Sequence, residues 1–132
     1  MARGAARPVT DMGATSRNRG ARGEVEVVKF YQAAGFNCRR NFMSGAFGGA
    51  DITGDAMLDM PEVKFVEQVK FWQFVQQARK GSLSGFGLPI LWALWIRRNR
   101  ETWTVTLDAR RYMQLLVCER DTLERERNEV RA

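Results

Sequence analysis

The sequence predicts a single small α/β domain in which helices flank a mixed central β-sheet. Apolar residues recur at helical spacing within residues 18–34 and again within residues 68–80. Residues 89–96 form an unbroken apolar run, which is typical of a strand covered on both faces, and residues 102–107 alternate apolar and polar side chains. The predicted element order is α-β-β-β-α-β-β-α, and a chain of 132 residues holds one core rather than two.

The N-terminal residues 1–16 are small, glycine-containing and basic, so they are expected to form a disordered arm. Residues 1–22 carry five arginines against one acid, Asp11, which is a net charge of +4 out of +6 for the whole chain. Such an arm could contact nucleic-acid phosphates or remain a solvated tail, and the sequence supports both interpretations equally. The folded domain is predicted to span residues 17–117.

The first helix, residues 18–34, should end at Gly35, because glycine favours the left-handed conformation that closes a helix. Glu24 falls on its buried stripe, whereas Glu26 falls on the solvent side with Lys29. A carboxylate aimed at a core needs a partner, and a metal ion with its waters is one; alternatively, Glu24 stays hydrated at the stripe's N-terminal end. The apolar members of the stripe are Val27, Val28, Tyr31 and Ala34.

The first strand is predicted at residues 36–42 and carries Arg39 and Arg40. The following residues 43–50 are rich in glycine but lack the lysine and the helix of a phosphate-binding loop, so a hairpin turn is the preferred interpretation. Ser44, within this turn, could still contact a phosphate.

Residues 51–54 and 60–66 should pair as adjacent strands. The turn between them contains Asp55 and Asp59, which are expected to be solvated because aspartates commonly form turns. Pro61 cannot donate a ladder hydrogen bond, so the second of these strands is expected to begin properly at the next residue.

Two carboxylates and a lysine can meet where these strands lie side by side. Glu62 and Lys64 are two residues apart and therefore share one face of their strand. Asp51 begins the neighbouring strand. Two carboxylates are suitable ligands for a hard cation, and an ammonium beside them could hold a water or a phosphate oxygen.

The second helix, residues 68–80, has a polar flank that could contact a phosphate backbone. A plain solvated flank is the alternative. The helix should be followed by a glycine-serine loop at residues 81–88. Its flank consists of Lys70, Gln73 and Gln77, and its buried stripe of Phe71, Phe74, Val75 and Ala78.

The last part of the chain is predicted to contain a basic hairpin turn and a third helix. Arg97 and Arg98 belong to the turn, which could contact DNA or be an ordinary charged tip. The helix should begin near Asp108. Residues 118–132 mix charges of both signs with little apolar content and are expected to form a charged tail or helix.

The composition excludes several classes of site. The chain has no histidine, which removes Ser-His-Asp and Cys-His catalysis and the usual zinc ligand sets. Its two cysteines, Cys38 and Cys118, are far apart and are expected to be free thiols in a reducing cytosol. No apolar run is long enough to span a membrane, so a soluble intracellular protein is expected.

Several motifs together resemble the phage and archaeal Holliday-junction resolvases of the PD-(D/E)xK nuclease superfamily. The first is Asp-x(10)-Glu-x-Lys, formed by Asp51, Glu62 and Lys64. The run of residues 17–24 ending in Glu24, the glycine-rich approach of residues 44–51, and Gln77 with the following alanine occur in the family's order. The resemblance covers roughly residues 16 to 116.

The resemblance implies a restriction-endonuclease-like fold and a homodimeric Mg²⁺-dependent endonuclease, in which Mn²⁺ substitutes for Mg²⁺. Asp51, Glu62 and the backbone carbonyl of Val63 would bind the metal, and Glu24 would act through a water or a second ion. Lys64 and Gln77 would complete the catalytic set. The residues expected to contact DNA are Arg17, Arg19, Arg22, Arg39, Arg40, Ser44, Lys70, Gln73, Arg97 and Arg98.

The substrate implied is branched DNA, above all the four-way junction, cut by symmetric nicks during recombination or repair. The resemblance also implies a phage- or prophage-encoded protein acting in the cytoplasm of a bacterial host. One alternative is a nuclease for other branched, flap or nicked DNA. The other is a non-catalytic basic nucleic-acid-binding protein, in which Asp51, Glu62 and Lys64 form a structural ion-pair network.

Overall fold

The computed structural model describes residues 9–42, 49–55, 57–86 and 90–132, and the side chains of residues 15–42, 49–55, 57–82 and 90–132. Within these described residues, three helices and five strands follow one another in the predicted order. They are α1 (Val9–Ala33), β1 (Asn37–Arg40), β2 (Ile52–Asp55), β3 (Met60–Phe65), α2 (Phe71–Phe86), β4 (Trp92–Arg97), β5 (Thr104–Leu107) and α3 (Ala109–Arg131).

A mixed three-stranded sheet forms the centre of the fold. β3 and β4 are parallel, joined by the crossover helix α2, and β5 returns antiparallel to β4. The register places Glu62 beside Leu94 and Lys64 beside Ile96. The predicted α/β class, with a mixed sheet flanked by helices, is therefore confirmed.

The predicted pairing of β2 with β3 into one continuous sheet is wrong. β2 pairs with β1 in a separate antiparallel hairpin, and a backbone hydrogen bond from Asp51 N to Pro61 O, 2.8 Å long, joins the hairpin region to β3. The next N–H that faces this edge of β3, that of Val63, donates instead to the side chain of Asp51 over 2.8 Å. The aspartate thus takes the place of a backbone acceptor, and the ladder stops there.

Among the residues whose side chains are described, two hydrophobic clusters pack on the three-stranded sheet. One lies between α1, the hairpin and Val63 of β3, and the other lies between α2 and the side chains of Trp92 and Leu94 on β4. Because neighbouring residues of a strand face opposite sides, Val63 belongs to the α1 layer while Glu62 and Lys64 face the α2 layer. Consistent with this, the Lys64 ammonium lies 5.2 Å from the centroid of the Phe74 ring on α2.

The packing of α1 against the sheet depends on Gly23. A Cβ atom at this position would come within 2.9 Å of Phe65 Cβ and 3.3 Å of the Trp103 ring. Because real Cβ atoms do not approach other carbons so closely, only glycine permits this helix-to-strand distance. Gly35 has φ +94° just after the helix, as expected for a residue that closes one.

The predicted helix limits need correction. α1 begins at Val9 rather than residue 18, although the added residues include threonine, glycine and serine of low helix propensity; extending an established helix costs less than starting one. α2 begins at Phe71 and continues to Phe86 through the predicted loop. There Ser82 is 1% exposed, and a Cβ at Gly81 would lie 3.1 Å from Gly49 O, so tertiary packing outweighs the low helix propensity of glycine.

The buried stripes are largely as predicted. Val27, Val28, Tyr31, Val75 and Ala78 are buried, and Phe74 is partly buried. Two expectations are wrong: Ala34 is exposed because α1 ends one residue earlier, and Phe71 is exposed because it begins α2. Beyond Cys118 the chain is one continuous helix, so the helical alternative for residues 118–131 is the one found.

Candidate active site

The structure brings Asp51, Glu62 and Lys64 together at the edge of β3. Lys64 Nζ lies 3.3 Å from Glu62 Oε1, and Asp51 Oδ2 accepts a hydrogen bond from the backbone N–H of Val63, which lies between the other two residues. The strand alternation predicted from the sequence therefore places both charged side chains on one face. Asp51, which immediately precedes β2, reaches the same edge of β3 from the β1–β2 hairpin.

Glu62 is a buried carboxyl, with 6% of the residue exposed. Burial raises its pKa from 4.5 to about 7, and repulsion from Asp51 adds to the effect, as does the weaker influence of Glu24. Lys64 opposes this through its charge and hydrogen bond but does not cancel it. The negative charge of Glu62 is thus incompletely compensated by the side chains around it.

Glu24 reaches the same region from α1, where it is partly buried. Burial raises its pKa, the hydrogen bond from Arg40 opposes that shift, and the charges of Asp51 and Lys64 act on it in opposite directions. Arg40 Nε donates to Glu24 Oε2 over 2.7 Å. Arg40, which is predicted from the sequence to contact DNA, is the direct partner of the helix acid, a pairing that the sequence did not indicate.

The carbonyl of Val63 faces the same edge. Within a strand the N–H and C=O of one residue point to the same side, and the N–H of Val63 points to Asp51. Carboxylate and carbonyl oxygens of this kind are the donors that Mg²⁺ prefers. Across residues 9–42, 49–55, 57–86 and 90–132, no three acidic or cysteine side chains converge as a ready-made metal-binding group.

Three other predicted members of the site are exposed. They are Lys70, just before α2, and Gln73 and Gln77, on α2. Ser44 lies outside the described residues. The predicted DNA-contacting arginines that are exposed are Arg17, Arg39 and Arg98, together with Arg22, which also contacts Glu26.

Three arginines surround one ring on the α1 side of the sheet. The guanidinium carbons of Arg19, Arg22 and Arg97 lie 5.7, 5.6 and 4.7 Å from the centroid of Phe65. Arg97 is also paired with Glu26, with 18% of its side chain exposed, so it is the end of β4 rather than part of an open turn. These contacts stabilise the packing of α1 on the sheet.

Two acids that were expected to be solvated form internal hydrogen bonds. Glu26 accepts from Arg97 Nη1 at 2.9 Å and from Trp103 Nε1 at 3.0 Å. Asp59 accepts from the hydroxyl of Tyr31 at 2.8 Å, and burial raises the pKa of Asp59. Both expectations are wrong because the partners come from distant elements that a local pattern does not reveal.

No protein-family model, curated protein or solved structure matches the chain. In the part of the chain that the structure describes, none of the helices combines the length and apolar character required to cross a bilayer.

Proposed function

We propose that the chain is a metal-dependent endonuclease that hydrolyses phosphodiesters in branched DNA, with the four-way junction as its substrate and a homodimer as its working form. The supporting observation is the buried Glu62 carboxyl beside Asp51. Burial and like charge disfavour its ionised form more than Lys64 favours it, so a bound cation would relieve this energetic cost. The choice of the four-way junction as substrate and of the homodimer as working form rests on the resemblance of the sequence motifs.

The residues present suit a hard divalent cation. Asp51 and Glu62 would supply carboxylate oxygens, and the Val63 carbonyl faces the same edge. When bound, Mg²⁺ would neutralise charge on a phosphoryl oxygen and acidify water there. Mn²⁺, which also accepts oxygen donors, would substitute.

Lys64 has the position of an electrostatic stabiliser. Its ammonium is held beside Glu62, with 19% of the side chain exposed, so it can donate a hydrogen bond toward solvent at the edge of β3. A phosphate oxygen placed there would gain a charge-assisted bond as negative charge develops. Glu24 would position a water or a second ion from the α1 side, with Arg40 fixing its carboxylate.

The Glu62–Lys64 ion pair also supports the competing function, a non-catalytic nucleic-acid-binding protein in which the pair is structural. The test is cleavage of a labelled four-way junction beside duplex, flap and single-stranded DNA, with Mg²⁺ or EDTA. We expect paired symmetric nicks that disappear in EDTA and in Glu62→Gln. An exposed-acid control, Glu67→Gln, should cleave normally.

Three other outcomes have distinct meanings. Metal-dependent cutting of flaps in preference to junctions would support the proposed metal site but make flap DNA, rather than the four-way junction, the substrate. Tight binding without cutting under any divalent ion would favour the binding protein. Cleavage that is unaffected by Glu62→Gln would exclude this site.

A further inference from the structure

α3 is a 23-residue helix without a single buried residue. Its apolar side chains are nevertheless large and lie at regular intervals. Leu116, Leu123 and Val130 follow one another every seven residues and are 39%, 52% and 87% exposed. Seven residues are close to two helical turns, so the three form one line along the helix. Tyr112, four residues before Leu116, is 53% exposed and extends the line toward the domain.

The two borders of this apolar line carry opposite charges. Glu119 and Glu126 come three residues after Leu116 and Leu123, which places them on one border. Arg120 and Arg127 come four residues after the same leucines, which places them on the other. The helix therefore has an acidic border and a basic border along one apolar line.

We propose that α3 is a self-association surface on which the α3 of a second copy packs in parallel. In a parallel pair related by a two-fold axis along the helices, the acidic border of each copy faces the basic border of the other. In an antiparallel pair, like borders would meet. Charges beside the seam are what set partner and direction in paired helices, so the charge pattern selects the parallel arrangement.

The charge of α3 favours a second copy over a nucleic acid as the occupant. The helix contains six arginines and five acids, a net charge of +1, whereas residues 1–22 carry +4. A surface that binds phosphates concentrates positive charge on one side. α3 instead alternates the two signs across an apolar line, which complements a copy of itself.

The first test measures the mass of the full chain by sedimentation equilibrium over a range of concentrations. We expect a monomer–dimer equilibrium in the parent. Arg120→Glu with Arg127→Glu makes both borders acidic, and Glu119→Arg with Glu126→Arg makes both basic; each double variant should be monomeric. Mixing the two should restore a dimer, which also shows that both variants are folded.

Arg125→Glu is the matched control, because Arg125 lies on the opposite side of the helix from Leu123. It should dimerise as the parent does. A parent that stays monomeric at every concentration, or a dimer that survives both double variants, would overturn the proposal. In the second case another surface or another occupant is responsible.

The direction of the pair is tested by cross-linking Val130→Cys in a Cys118→Ser background. Two parallel copies bring their 130 positions together, so oxidation should give a covalent dimer. A non-covalent dimer that does not cross-link there contradicts the parallel arrangement. Mass and cross-linking are independent of cleavage. A chain that cleaves DNA as a monomer would overturn this inference and the dimeric working form, but it would leave the proposed metal-dependent cleavage at Glu62 intact.

Discussion

The ammonium nitrogen of Lys64 lies 3.3 Å from Oε1 of Glu62, and both side chains belong to one strand. This distance means that two roles have to be separated experimentally. Lys64 stabilises the ionised form of a buried carboxyl, and under the proposed function it also stabilises the reacting phosphate. Substitutions at Lys64 and Glu62 separate these roles, and substitutions at Arg40 and Gly23 test the packing that holds the site.

Replacing Lys64 by methionine should lower the rate of junction cleavage by about 100-fold or more, because a charge aimed at the developing negative charge is lost. Metal-dependent binding of the junction should persist. The measurement is single-turnover cleavage with saturating enzyme. Lys29→Met, which changes an exposed lysine of α1 that is not among the expected DNA contacts, is the control. If the Lys64→Met variant cleaves the junction as fast as the parent, Lys64 does not stabilise the reacting phosphate.

The metal-free chain should become less stable as the pH rises from about 4.5 to about 7. The folded state holds the Glu62 proton more tightly than the unfolded state, because burial raises the pKa from 4.5 to about 7. The stabilisation is therefore complete below the unfolded value and lost as the pH passes the folded value, a change of at most roughly 3 kcal/mol. Urea unfolding in EDTA at several pH values measures it.

Glu62→Gln should flatten this pH dependence, since the amide does not titrate. The exposed acid variant Glu67→Gln should retain the slope of the parent. Two results would contradict the assignment of this pH dependence to Glu62. One is a parent whose stability increases with pH over the same interval, and the other is a Glu62→Gln variant whose stability changes with pH as steeply as that of the parent.

Mg²⁺ binding to the parent should release protons near neutral pH, because the ion binds the ionised form of Glu62. Calorimetric titrations in two buffers of different ionisation enthalpy measure the number of protons. Apparent affinity should increase with pH until about 7 and then level off. Glu62→Gln should bind Mg²⁺ more weakly and release fewer protons; identical titrations of the two chains would count against metal binding here.

Replacing Arg40 by methionine should destabilise the fold by about 1–3 kcal/mol, because the partly buried Glu24 loses its charged partner. Adding Glu24→Gln should recover part of the loss. Urea unfolding of the two single variants and the double variant gives the coupling energy. Strictly additive effects would show that the two residues act independently, contrary to their 2.7 Å contact.

Gly23→Ala should destabilise the chain by about 1–3 kcal/mol, since the new methyl group would overlap Phe65. Gly20→Ala is a matched control on the same helix, because nothing lies within 4 Å of its added Cβ. There the loss of glycine's flexibility should stabilise the helix by up to about 1 kcal/mol. Thermal unfolding of both variants measures the difference. Equal effects of the two substitutions on stability would show that the close approach of α1 to Phe65 is unimportant.

Local periodicity was sufficient to predict the elements that position the acids. Alternation along β3 separated Glu62 and Lys64 from Val63, and helical spacing identified the buried stripe of α1. It failed where a partner is distant in sequence: Arg40 lies 16 residues from Glu24, and Arg97 lies 71 residues from Glu26. Those contacts depend on how the elements pack, which no local pattern encodes.

The prediction of the helix limits from the sequence failed for a related reason. The sequence of α2 beyond residue 80 has the glycines and serines of a loop, yet its backbone stays helical because Ser82 is buried and Gly81 lies against the backbone of Gly49. Intrinsic propensity is a weak preference that tertiary contacts can override.

The hydrogen bond from the Val63 N–H makes the Asp51 side chain both a partner of the strand backbone and a proposed metal ligand. Asparagine at position 51 would keep an oxygen acceptor of the same length, whereas an apolar residue would remove the acceptor together with the charge. The two replacements therefore separate the fold from the chemistry, because only the apolar one should disturb the join between the hairpin and β3.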